Sequence, residues 1–512
     1  MNKQRSSIPM FLMAAAAASS FALAAGGLPE VGHATPFVPN PSKTAALSLA
    51  QKAEKLQSDL SGYGYDVMKG NFHLFTIEDC KYAIESIGNC LGNNPTAPYI
   101  IPTLPQWQDE FVDAHMKNML GPVPDHEGWT YRLGEQEAII ILAKLPPPGR
   151  YFGMQSYVFS RDVSVNLTDS IYENLDDVFM KSIIFMSSPN PSRQLLFSSI
   201  GDSINNVVIE RQSGNAFDQQ RFFIITANTT LAQELSDALL NAGVTDRQQI
   251  FIERISPGLA RLGHTSASDD FMMLIRYALP TDEVAGDQWR KELPMTVLRV
   301  RNKNPSPQYQ VYLPPVREPR IANSELDLER SLDDVVAAVK DKWGQPSAPD
   351  SNFYSLLEKV DLVGDHCMRR PMNCLGDTGD ADYQISQTVD LNSDVVLAAV
   401  GTLGTATGNA VYTSLSVNQI PELVGVANLT DVDLAGSTSA FSASVTNTEK
   451  IYLQYFARDC SNLPHCLEVS EQLVPKGDKL KIIQRNYIVP GSSRGPDPTK
   501  LVNPRLIILK RQ

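Results

Sequence analysis

The tetrapeptide Asn-Cys-Leu-Gly occurs twice in this chain, at residues 89–92 and again at 373–376. Both copies are followed at the same spacing by Ala-x-Tyr, which ends at Tyr99 and at Tyr383, and a second cysteine lies shortly upstream of each copy. Internal self-similarity of this kind constrains the fold strongly, because similar segments form similar structural units. It therefore indicates two related domains within one chain.

Two further matches follow the tetrapeptides in the same order along the chain. They are apolar runs at 138–142 and 395–400, and the pattern Gly-x-Thr-Ser-Ala at 263–267 and 436–440, with Ser437 in the place of His264. Short apolar runs bounded by turn residues are typical of buried strands. We therefore predict an α+β, β-rich fold with two tandem related β-sandwich-like domains. The alternative is two unrelated β-rich domains that share turn chemistry.

The first copy is longer than the second, which predicts extra segments inside the first domain. The larger one, at about 160–262, has a strand–helix–strand pattern: apolar runs at 221–226 and 251–255 flank leucines spaced four residues apart, as on one face of a helix. The predicted organisation is a signal peptide at 1–25, a first β-rich domain at 42–315, a connecting helix at 320–346 and a second β-rich domain at 350–512.

The N-terminus has the pattern of a secretory signal peptide. Lys3 and Arg5 precede an alanine-rich apolar run at 8–25, which ends in the small-residue triplet Ala-Leu-Ala. A retained anchor is the competing interpretation, but spanning helices need about 20 strongly apolar residues. We expect cleavage near Ala24 or Ala25, no transmembrane span in the mature chain, and a secreted or periplasmic protein.

The cysteines form three pairs of close neighbours: Cys80 and Cys90, Cys367 and Cys374, and Cys460 and Cys466. In an exported chain, an even number of cysteines in short-range pairs is typical of disulfides that close small loops. We therefore predict three local disulfides. A metal site is the competing interpretation, for which the sequence offers only two histidines adjacent to cysteines, so we expect no cofactor.

The charge balance limits the class of partner. Lysine plus arginine number 44 and aspartate plus glutamate 57, which gives a net charge of −13. Dedicated nucleic-acid binders normally have a basic patch and a basic isoelectric point. We therefore expect no nucleic-acid partner.

Two segments of the first copy resemble a bacterial exported family of unknown function. They are Asn-Asn-Pro-Thr-Ala-Pro-Tyr at 93–99 and Gly-Arg-Tyr-Phe-Gly-Met-Gln at 149–155, with an apolar strand between them. The family pattern is Asn-Asn-Asp-Thr-x-Tyr, then a strand, then Gly-Arg-Tyr-Tyr-x-x-Gln. Pro95 replaces the family aspartate, and the second copy has Asn409 where the first has Arg150. The resemblance implies a β-sandwich-like fold in an envelope or secreted protein and implies no reaction.

Amides, phenols and one guanidinium are concentrated in these two segments. The predicted ligand-binding residues are Asn93, Asn94, Tyr99, Arg150, Tyr151 and Tyr157. Such side chains line clefts that bind a sugar, a carboxylate or another polar small molecule or polymer. In the alternative interpretation the asparagines cap a turn and the tyrosines fill the core.

Enzyme fingerprints such as a Gly-x-Ser-x-Gly elbow or a His-Glu-x-x-His helix are missing from the sequence. The weak catalytic candidates are His126, which lies between two carboxylates, and the cluster His264, Ser266 and Asp269. The weak candidates for a calcium site are Asp377, Asp380 and Asp382, which alternate on a glycine-containing turn. A solvated or hydrogen-bonded turn is the competing interpretation in each case.

Two function classes remain open. The first is a non-catalytic cell-envelope or extracellular binding protein. The alternative is a secreted hydrolase or lyase that acts on a polar substrate in a first-domain cleft. Catalytic groups that converge in a deep pocket favour the enzyme, whereas surfaces without such a cluster favour binding.

Overall fold

Two successive sets of strands form the fold, and both belong to one compact unit. The computed structural model describes residues 47–305, 308–344 and 349–511. The predicted signal peptide at 1–25 lies outside the described residues. Below, 47–305 is called the first half, 308–344 the connector and 349–511 the second half.

The strands of the first half are β1 (Tyr65–Lys69), β2 (Asn71–Leu74), β3 (Tyr99–Pro105), β4 (Glu127–Gly128), β5 (Glu137–Lys144), β6 (Gly149–Asp162), β7 (Arg193–Ser199), β8 (Ile204–Asn205), β9 (Gln220–Thr226), β10 (Ile250–Arg254), β11 (Asp270–Pro280) and β12 (Met295–Asn302). The strands of the second half are β13 (Ser351–Asn352), β14 (Tyr354–Ser355), β15 (Ala381–Ile385), β16 (Val389–Asp390), β17 (Val395–Thr402), β18 (Tyr412–Ile420), β19 (Val424–Thr430), β20 (Ile451–Ala457), β21 (Cys466–Glu468), β22 (Lys479–Tyr487) and β23 (Arg505–Lys510).

The strands pair in the same order in the two halves. In the described part of the first half, sheet I has the order β1-β12-β5-β9-β10 and sheet II the order β2-β3-β11-β6-β7. In the second half, sheet III has the order β13-β23-β17-β20-β21 and sheet IV the order β14-β15-β22-β18-β19. Even the parallel pairs correspond, because β9 pairs with β10 and β20 with β21 in parallel. The predicted β-rich α+β fold class is confirmed.

The first two motif matches lead into strands at equivalent positions, namely β3 and β15, then β5 and β17. The third match does not, because 263–267 precedes β11 whereas 436–440 precedes β20, the counterpart of β9. Serine and threonine favour turns through local hydrogen bonds, so this similarity has a local cause. At the shared threonines, Ser268 N donates to Thr265 O at 3.1 Å and Phe441 N donates to Thr438 O at 2.9 Å. Tandem duplication stays a hypothesis, which the common strand order supports.

The α-helices lie between and outside the strands. They are α1 (Leu49–Gly62), α2 (Cys80–Ile87), α3 (Ser170–Asn174), α4 (Val178–Ile184), α5 (Asn206–Ser213), α6 (Thr229–Asn241), α7 (Glu283–Glu292), α8 (Glu329–Trp343), α9 (Leu356–Val360), α10 (Gly364–Arg369), α11 (Gly404–Thr407) and α12 (Asp431–Leu434). The predicted strand–helix–strand unit is β9-α6-β10, and its strands extend sheet I. In the second half, β20 and β21 form the corresponding edge of sheet III.

The sheets and helices stack in layers. The leucine face of α6 packs with α1 on the outer face of sheet I, and α8 of the connector packs its apolar face on sheet III. One core fills the space between sheets I and II, and another lies between sheets III and IV. Sheets II and IV then meet each other through their remaining faces. Strand β11 shows the alternation: Ile275 and Tyr277 enter the core, whereas Arg276 and Ala278 face the second half.

The predicted disulfides are confirmed. Cys80 bonds to Cys90, Cys367 to Cys374, and Cys460 to Cys466. The first two close the loops that lead into the repeated tetrapeptide, and the third closes the loop between β20 and β21. Three disulfides fit an exported protein. Among the described residues, no helix is long and apolar enough to cross a bilayer.

We predict that the disulfides contribute unequally to stability. Loop-closure entropy alone assigns about 2–3 kcal/mol to each short loop. The Cys80–Cys90 loop also docks on the second half, because Cys90 N donates to Glu422 O at 2.8 Å, whereas Cys460 and Cys466 are only half-buried. Guanidinium unfolding should therefore show a larger loss for the double alanine variant of Cys80 and Cys90 than for that of Cys460 and Cys466. Equal losses would contradict the docking role.

Candidate functional site

The two repeated tetrapeptides form the same backbone corner. Asn89 Oδ1 accepts from Leu91 N at 2.9 Å, and Asn373 Oδ1 accepts from Leu375 N at 2.9 Å. The Leu-Gly pair that follows has φ of 55° and 58° in the first copy and 57° and 66° in the second. Left-handed backbone of this kind favours glycine and is uncommon for leucine. The sequence repeat therefore encodes a specific corner.

Each corner docks on the other half of the chain. Cys90 N donates to Glu422 O, next to edge strand β19, and Cys374 N donates to Leu196 O of edge strand β7 at 2.7 Å. Since β7 and β19 occupy equivalent positions, the two halves exchange equivalent loops. The contact between the halves is thus reciprocal.

The predicted ligand-binding asparagines lie in this contact. Asn93 Oδ1 accepts from Gly425 N at 2.7 Å, and Asn93 Nδ2 donates to Gly425 O at 3.3 Å. Asn94 is buried and its Nδ2 makes a long hydrogen bond of 3.5 Å to Tyr487 OH. Both asparagines therefore join the first half to the second.

The predicted Arg150 and Tyr151 also reach across the contact. Arg150 Nη1 lies 2.6 Å from Asp431 Oδ2 in an ion pair that is partly open to solvent. The fully buried Tyr151 OH donates to Asp380 Oδ2 at 2.7 Å. Burial and this carboxylate raise the pKa of Tyr151, so the phenol stays protonated. The hydrogen bond that this phenol donates therefore joins the first half to the second.

The predicted Tyr99 and Tyr157 flank Arg276, which sequence reasoning missed. Arg276 Nη1 donates to Tyr157 OH at 2.9 Å, and its guanidinium lies 5.2 Å from the Tyr99 ring centre. In the second half Arg485 takes the same position, 5.6 Å from the Tyr383 ring centre. The sequence signal was an arginine within a strand-like segment of each half, whereas the pairing of that arginine with the repeated tyrosine is visible only in the structure.

The six predicted ligand-binding residues therefore lie together at the contact between the halves. Four of them are buried there, and Asn94 and Tyr99 line a small cavity described below. Whether any of the six binds a ligand stays a prediction.

The candidate metal ligands are directed toward separate protein donors. Asp377 accepts from Ser199 Oγ at 2.6 Å, and Asp380 from Tyr151 OH and other donors. Asp382 accepts from Ser355 Oγ at 2.6 Å, and burial raises the pKa of Asp382 to about 6. In the described residues, no group of three or more His, Cys, Asp or Glu side chains is placed to hold a metal ion.

The candidate catalytic cluster also has separate partners. His264 Nε2 lies 2.8 Å from Glu137 Oε1, and this contact raises the pKa of His264. Both oxygens of Asp269 accept from Arg161, at 2.8 and 2.7 Å, and Ser266 is exposed. His, Ser and Asp thus do not form a hydrogen-bonded relay in this structure.

His126 occupies an exposed turn with a φ of 65°. Its carbonyl oxygen accepts from Gln106 N at 2.7 Å, which ties the turn to β3. The alternative function of a hydrolase or lyase stays a prediction.

A groove of about 670 Å³ opens between the halves, and sequence reasoning missed it. The segment between β6 and β7 supplies Leu175, Val178 and Phe179, and the second half supplies Tyr354 and Ile420. These side chains form largely apolar walls. No sequence signal marks the groove, because its two walls lie far apart in the chain.

The polar groups of the groove differ in how they are paired. Asp177 Oδ2 accepts from the buried Lys481 Nζ at 2.5 Å and from Tyr354 OH at 3.1 Å. Burial lowers the pKa of Lys481, which Asp177 opposes, so this pair is neutralised internally. Lys359 and Lys479 are exposed at the groove. They give the rim two cationic groups.

Comparison with known proteins adds a distant likeness. No family model matches the chain. No curated protein matches it either. Among solved structures, it is similar to an uncharacterised protein from Burkholderia cenocepacia with 10% identity and a TM-score of 0.37, over 90% of this chain and 87% of that one.

Glu253 places a buried carboxylate between sheets I and II in the core of the first half. Glu253 of β10 accepts from Ser156 N and Ser156 Oγ of β6, both at 2.6 Å. No cationic side chain of the described residues lies within 4.0 Å of it. Burial raises the pKa of Glu253 to about 7, against the lowering by the Ser156 hydrogen bonds.

We predict that Glu253→Gln stabilises the protein at neutral and alkaline pH. A folded pKa of about 7 above an ordinary value of 4.5 means that ionisation costs stability as the pH rises through this window. Unfolding at about pH 8 should therefore show a gain of up to about 3 kcal/mol for the variant. The gain should shrink as the pH falls and vanish below about pH 4.5. A gain that is constant with pH would refute the ionisation.

Proposed function

We propose that this chain is an exported binding protein of the cell envelope or the extracellular space, and that the groove between the halves holds its ligand. The observation that carries this proposal is a cavity of about 670 Å³ with apolar walls from both halves. Ligand pockets of about 300–1,000 Å³ with mainly apolar linings and a few polar groups are typical of small-molecule sites.

The groove also suggests the chemistry of the ligand. Lys359 and Lys479 add two exposed cations to walls that are otherwise largely apolar, whereas Asp177 is already neutralised by Lys481. Asp176, also exposed, leaves an excess of one positive charge. An amphipathic anion, with an apolar body and one acidic group, fits this arrangement of surface and charge.

The aromatic anion 1-anilinonaphthalene-8-sulfonate can test this proposal. Val178 lines the groove and is 78% exposed, so Val178→Asp should leave the fold intact while adding a negative charge to an apolar wall. We expect saturable fluorescence enhancement with the unmodified protein and an affinity about tenfold lower for the variant. The matched control is Val284→Asp, because Val284 is 81% exposed and lies outside the groove.

Two outcomes contradict the proposal. One is a fluorescence response that Val178→Asp and Val284→Asp reduce equally. The other is a response that does not saturate, as for a dye that adheres to scattered apolar surface. Circular dichroism of both variants checks that the fold is unchanged.

A further inference from the structure

A second, much smaller cavity of about 50 Å³ lies at the centre of the contact between sheets II and IV. Asn94 and Tyr99 line it from the first half, and Tyr383, Arg485 and Tyr487 line it from the second. It is separate from the groove, and its polar lining is a guanidinium, phenols and a carboxamide. All three groups are hydrogen-bond donors.

The charge of Arg485 has only neutral partners in the structure. The residue is 4% exposed, and it donates to Ser416 Oγ at 2.5 Å and to Gly92 O at 3.5 Å. Its counterpart Arg276 is 3% exposed and donates to Tyr157 OH and to Gly376 O at 3.3 Å. Within the described residues, neither guanidinium has a carboxylate oxygen within 4.0 Å.

Other buried arginines of this chain are compensated. Six of them in the described residues have a carboxylate within 4.0 Å: Arg132, Arg161, Arg193, Arg299, Arg494 and Arg505. Arg221 lacks a carboxylate but donates to three backbone carbonyl oxygens. A buried charge without compensation is costly. Arg485 and Arg276 therefore lack the negative charge that an anion would supply, and of the two only Arg485 lines the cavity.

We propose that the cavity lined by Arg485, Tyr99 and Tyr383 binds one small monovalent inorganic anion of the size of chloride or bromide. The volume of about 50 Å³ exceeds the roughly 30 Å³ of one water molecule and is too small for a large organic anion such as gluconate. One guanidinium lines the cavity, so one negative charge neutralises it.

The phenols are suited to the same ligand. Burial raises the pKa of Tyr99, and burial likewise raises that of Tyr383, so both stay protonated and can donate a hydrogen bond. The Tyr99 OH donates a long hydrogen bond of 3.4 Å to Gly92 O, and Arg276 acts on the same phenol oxygen as a donor. A bound anion would be held by donors from both halves, and its binding would stabilise their contact.

The test is a titration of the thermal midpoint with sodium bromide, at fixed ionic strength made up with sodium gluconate, which is too large for the cavity. Below about 20 mM, we expect a saturable rise of about 2 °C or more, because a ligand that binds only the folded state stabilises it. Arg485→Met should abolish the rise. Arg247→Met is the matched control and should keep it, because Arg247 is an exposed residue paired with Asp237.

The unmodified protein alone can overturn the proposal, so the test does not depend on whether Arg485→Met folds. A midpoint that is the same in bromide and gluconate would refute anion binding. Crystals soaked in bromide locate the site through anomalous scattering. A peak between Arg485 and Tyr383 supports the proposal, whereas peaks only at the protein surface, an adventitious ion only, overturn it.

Discussion

The exchange of two equivalent corners between the halves is the constraint on which the rest of the structure depends. Each corner combines an asparagine turn, a disulfide and a left-handed Leu-Gly pair, and each then donates a backbone hydrogen bond to the opposite half. Because the exchange is reciprocal, it fixes the distance and the register between sheets II and IV. The groove and the small cavity both lie between the halves, so their shapes depend on that register.

The faces that meet in this register are unusual for a contact inside one chain. They contain tyrosines, arginines and hydrogen-bonded carboxylates rather than aliphatic side chains alone, as Tyr151 with Asp380 and Arg150 with Asp431 illustrate. Aliphatic faces can slide past one another at little cost, whereas a buried polar network must satisfy each group in one arrangement. We infer that polarity here specifies how the halves dock, and that the apolar cores supply most of the stability.

The sequence predicted strands and disulfides that lie within short segments, and it missed contacts between residues that are far apart in the chain. The repeat located β3 and β15, and proximity paired the cysteines correctly, since both signals lie within short segments. Strand alternation indicates that Tyr151 and Tyr157 of β6 share a face, but it does not reveal what covers that face. The partner of Asp269 was hidden for the same reason, because Arg161, which donates to it, lies 108 residues away.

The groove and the small cavity share their walls. In α4, Val178 and Phe179 line the groove whereas Met180 lines the cavity, and in α9 Lys359 lines the groove whereas Leu356 lines the cavity. A ligand in either space contacts helices that also bound the other. Binding free energies at two such sites are linked reciprocally wherever one ligand shifts a shared wall. The reciprocal docking of the halves thus places two different spaces side by side: a large apolar groove with a cationic rim, and a small cavity where a guanidinium and phenols meet aliphatic side chains.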